Sequence, residues 1–277
     1  MKFKVYRNQN FRIVPVYDAF EQGVKTTGHT LVDNKEDVSV VWSTTWDGMS
    51  QENKQIYDTC KKENRPVIFL DYGNLLRNKT WLMGINNTNA LGFFNNDVDL
   101  DTNRPGKLGL NLKDSTENRR AEILIVCQPE RSLTWQGQPS THDWIISTAF
   151  NISKYTDKLI VVKVHPQASF PEKVNNGIVV LPKNIMYGHD DISTDYNYHC
   201  VIDHNGPAAI QSAIQGTPVI CDSTSLAGPL SNSIENIEKL SMPDRQQWLI
   251  NVSHTEWTLG EIASGIPLNR LIDKLKH

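Results

Sequence analysis

Five consecutive residues, His204-Asn205-Gly206-Pro207-Ala208, carry the first chemical signal in this sequence. They follow the apolar run Cys200-Val201-Ile202 and Asp203, and lead into small residues spaced for a helix over 208–215, stopped by Gly216. Proline is tolerated in a first helical turn, and a helix start presents N–H groups and partial positive charge. Such a turn suits a phosphate or carboxylate, although an ordinary strand–helix crossover needs no ligand. Lys163 and His165, at the end of another apolar run, could add positive charge for the same anion, though an imidazole at a strand end also bonds simply to backbone. Gln128 and Arg131 follow a third run and suit phosphate oxygens or sugar hydroxyls; a surface ion pair would occupy Arg131 equally well. Asp71 ends the apolar run 66–70 and is placed either as a general base toward a hydroxyl or as a turn residue. Just beyond it, Arg77-Asn78-Lys79-Thr80-Trp81 joins two cations to an aromatic, and Trp46 lies in another polar loop. Trp46, Arg77, Lys79 and Trp81 are therefore candidates to stack on and bind an unpaired base, against the plainer reading of a core Trp81 and solvated cations.

Strands and helices that alternate would place these groups. Apolar runs at 11–16, 38–42 and 66–70 read as strands, with helices at 17–28 and at 51–63 behind a Ser50 cap. From 86 to 117 the sequence becomes rich in Asn, Asp, Gly and Pro, which marks irregular chain and a linker near 113–120. Within it, Asp97-Val98-Asp99-Leu100-Asp101 has carboxylates that could bind a metal, but a solvated loop explains them better. A second alternating set follows: strands at 122–127, 158–164, 177–181, 196–202 and 218–222, with a helix to 153 capped by Ser140 or Thr141. The expected class is α/β, with two Rossmann-like domains whose parallel sheets face across a cleft. The expected boundaries are 1–116 for the first domain, 117–245 for the second, and 246–277 for C-terminal helices packing back across both. Ligands of such sheets bind beyond the carboxyl ends of the strands, where the polar residues above fall.

Composition narrows the classes. The chain has 277 residues, 39% hydrophobic, with a net charge of −3, so no bulk positive field advertises nucleic acid or an acidic membrane. Cys60, Cys127, Cys200 and Cys221 are widely spaced, and three fall in expected strands, which suggests apolar packing in a reducing cytoplasm. No apolar run has the length of a membrane span.

Taken in order, these segments resemble the GT-B glycosyltransferases, in particular the branch of bacterial sialyltransferases and capsule-sugar transferases. Lys163-Val164-His165-Pro166 resembles the His-Pro motif of the second domain, and Asp71-Tyr72-Gly73 resembles the acidic-glycine motif that supplies the base, with an extra tyrosine. His204-Asn205-Gly206-Pro207-Ala208 stands where that branch often has Ser or Thr beside the donor phosphate. The resemblance implies sugar transfer from a nucleotide-sugar, UDP-linked by preference, to an acceptor hydroxyl. Residues 1–116 would then form the acceptor domain and 117–245 the nucleotide-sugar domain. Asp71 would be the catalytic base, Gln128, Arg131, Lys163, His165 and 204–208 would bind the donor, Trp46, Arg77, Lys79 and Trp81 would contact the acceptor, and neither metal nor cofactor would be needed. Compact size also resembles phage enzymes that glycosylate hydroxymethylated pyrimidines. The favoured acceptor is then 5-hydroxymethylcytosine in double-stranded DNA, inside the host cytoplasm. A transferase of capsule or other surface polysaccharide, with a glycan acceptor, is the first alternative. A nucleotide-sugar epimerase or non-catalytic nucleotide-binding protein is the second.

Overall fold

The computed structural model describes residues 1–46, 48–115, 119–164, 178–180 and 194–276. The chain divides into two compact units. The first comprises Met1–Asp101, Arg131–Thr134 and Asn251–His277; the second comprises Thr102–Glu130 and Trp135–Ile250.

In the first unit, β1 (Lys2–Val5), α1 (Val14–Thr26), β2 (Thr30–Leu31), β3 (Val38–Trp42), α2 (Gln51–Lys62), β4 (Val67–Tyr72) and β5 (Trp81–Ile85) follow in order. The expected strand over 11–16 is not formed; Phe11–Ile13 is a 3-10 turn and α1 begins at Val14. Pro15 sits in the first turn of that helix, and buried Ile13, Val16, Tyr17, Phe20 and Val24 recur at helical spacing. The edge of the first sheet also departs from an all-parallel arrangement. β1 to β4 pair in parallel, but β5 runs antiparallel to β4, with Asp71 opposite Leu82 and Tyr72 opposite Trp81.

The second unit begins with the single turn α3 (Arg104–Lys107). It continues through β6 (Ile123–Cys127), α4 (Thr141–Ile152), β7 (Ile160–Val164), β8 (Ile178–Val180), β9 (Cys200–Asp203), α5 (Pro207–Ile214) and β10 (Val219–Cys221). Its sheet has the order β10-β9-β6-β7-β8, and all pairs are parallel. Ser140 caps α4 as expected, accepting from Asp143 N–H at 3.1 Å, whereas Ser50 makes no side-chain cap on α2. After α6 (Gln246–Ser253), the chain contributes β11 (Glu256–Trp257), α7 (Leu259–Ala263) and α8 (Ile266–Leu275) to the first unit. β11 extends the first sheet, pairing antiparallel to β5.

Each sheet is covered on both faces. Phe3, Tyr17, Phe20, Ile68, Leu70, Ile262 and Leu271 form one core of the first unit; Val41, Trp46, Cys60, Phe69 and Leu133 form the other. In the second unit Ile123, Ile125, Ile145 and Ile152 pack on one face, and Leu124, Val201, Tyr196 and Ala208 on the other. Each such buried aliphatic side chain contributes about 1.5–3 kcal/mol, which favours strands apolar on both faces. All four cysteines are free, and Cys60, Cys127 and Cys200 are buried. The Asp97 to Asp101 run is held by its backbone: Arg270 donates to the carbonyls of Asn95, Val98 and Asp99. No described helix is long and apolar enough to cross a membrane.

Candidate active site

In the first unit the candidate base lies where strand and turn converge. β3 ends at Trp42, and Ser43 turns the chain with φ of 64°, a left-handed conformation unusual outside glycine. That turn delivers Thr44 N–H to Asp71 Oδ2 at 3.3 Å. Tyr72 N–H donates to Asp71 Oδ1 at 2.8 Å, and the Ser43 hydroxyl is a further donor. Asp71 keeps partial solvent contact as a residue, but its carboxyl group is packed among these donors. Burial raises its pKa above the usual aspartate value; the three hydrogen bonds and the charge of Arg77 oppose that shift without cancelling it. Raised basicity is what a proton-accepting carboxylate needs, and here it accompanies a group with both oxygens already hydrogen-bonded.

The residues expected beside it divide. Arg77 lies with its guanidinium carbon 4.3 Å from the Tyr72 ring centre, and Lys79 is exposed. Trp81 is half-buried on β5 and packs against the core. Trp46 is only 7% exposed, with Tyr57 and Phe69 rings 5.9 and 6.1 Å away, so it serves packing and offers no open face for stacking. Arg131, expected among the donor residues of the second domain, groups with the first unit; its carbonyl accepts from Trp46 N–H at 2.7 Å.

In the second unit the register aligns three strand ends: Val126 lies beside both Lys163 and Asp203. Gln128, Lys163 and His204 therefore lie at the carboxyl ends of neighbouring strands, with Lys163 and Gln128 half-buried. His165 and Pro166 lie outside the described residues. His204 is buried edge-on to Trp135 at 4.9 Å and to Trp144 at 6.2 Å. Asn205 Nδ2 donates to Thr224 Oγ1 at 2.6 Å, which in turn donates to Asp222.

The α5 start differs from the expectation of an open anion site. Asp203, which is 1% exposed, accepts from Gly206 N–H at 3.1 Å and Ala209 N–H at 3.2 Å, and from the N–H groups of Ala208 and Asn205. The helix start is thus already capped by an internal carboxylate, and its partial charge is offset from inside the fold. A Cβ on Gly206 would sit 3.0 Å from Asp203 Oδ2, a tight contact to which the carboxylate would have to yield. The start of α4 is satisfied the same way, with Thr141 N–H donating to Glu130 Oε1 at 2.6 Å. Asp203 was detectable as an acid just before a Pro-led helix, and Glu130 as one eleven residues short of the residue it caps only through tertiary contact. Ser43 carried no sequence signal, because serine is not a residue type that favours the left-handed φ it adopts.

Two α/β units, the first with a parallel sheet extended by two antiparallel strands and the second with an all-parallel sheet, give a fold of the GT-B type. No protein-family model and no curated protein matches the sequence. Among solved structures, the chain is similar to Thermosulfurimonas dismutans KpsC, beta Kdo 2,4 transferase, at 12% identity and a TM-score of 0.57, over 100% of this chain and 98% of that one. The beta Kdo 2,7 transferase of the same organism's KpsC aligns at 13% identity over 97% and 100% of the two chains, with a TM-score of 0.47. A UDP-GlcNAc 2-epimerase from Methanocaldococcus jannaschii aligns at 12% identity over 99% and 100%, with a TM-score of 0.34. The last two scores are too low to define the fold.

Proposed function

We propose that the protein is a glycosyltransferase that moves a sugar from a nucleotide-sugar to an acceptor hydroxyl. The observation that carries this reading is Asp71: a carboxylate of raised basicity at the end of β4, on a fold of the GT-B type. In the proposed reaction the acceptor oxygen attacks the anomeric carbon while Asp71 takes its proton. The anomeric C–O bond to phosphate breaks, and the nucleotide leaves with the electron pair. Lys163 and His165 would stabilise that charge, with Gln128, Asn205 and the 204–208 turn contacting the donor through side chains more than through the capped N–H groups. No metal is required in this scheme.

A glycan hydroxyl is the acceptor we favour. Support comes from the likeness to a structure described as a Kdo transferase, together with the net charge of −3. The DNA reading, with 5-hydroxymethylcytosine as acceptor, draws on exposed Lys79 and half-buried Trp81, while the burial of Trp46 removes one of its stacking residues. The test is incubation with a panel of nucleoside diphosphate and monophosphate sugars in EDTA, against oligosaccharide and hydroxymethylated DNA acceptors, read by mass spectrometry. Sugar mass on an oligosaccharide supports the favoured reading, and sugar mass on nucleosides supports the DNA one. No transfer with any donor would remove the transferase reading. His165→Ala should weaken nucleotide binding in calorimetry; unchanged affinity would take His165 out of the donor site.

A further inference from the structure

Glu256 lies on β11 and has no solvent exposure. A fully buried carboxylate is costly unless its oxygens are bonded. Glu256 accepts from Asn74 N–H at 2.5 Å, from Leu75 N–H at 3.1 and 3.2 Å, and from Thr80 Oγ1 at 2.8 Å. All these donors belong to the loop 73–80, which leaves β4 immediately after Asp71 and Tyr72. Gly73 N–H closes the loop by donating to the Thr80 carbonyl at 3.0 Å. There is no space for a side chain at Gly73, because a Cβ would collide with Glu256 Oε2, Thr80 Oγ1 and the Thr80 carbonyl. The same loop carries Arg77, which lies over the Tyr72 ring and acts electrostatically on Asp71.

We propose that Glu256 is a positioning residue for Asp71: by gripping the loop 73–80 it keeps Arg77 over Tyr72 and within electrostatic reach of the Asp71 carboxylate. The proposal rests on the reading of Asp71 as the base. Among the described residues, the groups that face Asp71 are Arg77 from the loop, the Ser43 hydroxyl and Thr44 N–H from the turn after β3, and Tyr72 N–H on its own strand. Arg77 is the charged one among them. Glu256 can act on Asp71 in two ways, and they have opposite signs. Its own negative charge, if felt directly, raises the Asp71 pKa, so removing it would lower that pKa. Its grip on Arg77 lowers the Asp71 pKa, so releasing Arg77 would raise it.

The experiment is a 13C-carboxyl NMR titration of Asp71, its signal identified by loss in Asp71→Asn. It is run on the wild type, Glu256→Gln, Arg77→Ala and the double variant. Glu256→Gln should titrate at higher pH than wild type, and should add no increment in the Arg77→Ala background. Where transfer is measurable, kcat should fall about 100-fold with the donor KM unchanged. A titration at equal or lower pH in Glu256→Gln overturns the proposal, as does an equal increment in the Arg77→Ala background. Should Glu256→Gln fail to fold, Thr80→Val removes one bond of the grip and carries the same expected sign. Absence of transfer in the wild type would end the glycosyltransferase reading and leave the titration result standing.

Discussion

Gly206 N–H donates to Asp203 Oδ1 at 3.1 Å, and this bond makes the start of α5 a capped helix within the second unit. With Ala209 also donating to Asp203, the strand β9 and the helix that follows it are tied by one buried carboxylate. A donor phosphate near this turn would have to be held by side chains or displace that tie.

The burial of this carboxyl group makes stability depend on pH in a defined direction. Burial lifts the Asp203 carboxyl from 3.8 to about 6, outweighing the backbone bonds that lower it. The folded protein then holds this proton to higher pH than the unfolded chain. The contribution is fully present below about pH 4 and is lost as pH rises through about 6, a difference of about 3 kcal/mol for two pKa units. Urea unfolding of wild type and Asp203→Asn between pH 4 and 7.5 should give a stability difference that changes across this window. A pH-independent difference would show that Asp203 titrates as an ordinary aspartate.

Asp71→Asn keeps the shape of the side chain and removes the base. Transfer should fall by about 10²–10⁴-fold, with nucleotide affinity nearly intact by calorimetry. Equal loss of both would make Asp71 a structural residue.

Ser43 combines a left-handed φ of 64° with a hydroxyl directed at Asp71. Ser43→Gly and Ser43→Ala both delete the hydroxyl, but only glycine adopts that backbone without strain. Ser43→Gly should therefore be more stable than Ser43→Ala by about 1–2 kcal/mol in chemical denaturation, while both raise the pH at which Asp71 titrates. Equal stability of the two variants would mean the turn relaxes.

Gly73→Ala should destabilise the protein by about 1–3 kcal/mol, since the added Cβ meets the Glu256 carboxylate and the Thr80 backbone. A melting temperature equal to wild type would show that the loop 73–80 can move aside.

Lys163 stands beside Val126 near the carboxyl end of its strand. Lys163→Ala should weaken nucleotide binding by about tenfold or more, with the loss shrinking in high salt. Salt-independent affinity equal to wild type would exclude Lys163 from the donor contacts.

Much of the architecture follows from local pattern. The apolar runs 38–42, 66–70 and 122–127 became β3, β4 and β6 because strands covered on both faces must be apolar throughout. Asp71 at the end of β4 and His204 after β9 were placed by that same reasoning, since polar residues that end such runs lie at strand termini. The run 11–16 misled because its apolar residues fit both periods over so short a stretch, and only packing of Ile13, Val16 and Phe20 selected the helix. Other features depend on residues far apart in the chain. Glu256 grips Asn74 across 182 positions, Trp46 is absorbed into an aromatic cluster with Tyr57 and Phe69, and Ser43 is forced left-handed beside Asp71. Burial and non-local hydrogen bonding decide these, because the free energy of a buried carboxylate or a strained turn depends on which partners the folded chain brings to it, and no local run of residues encodes them.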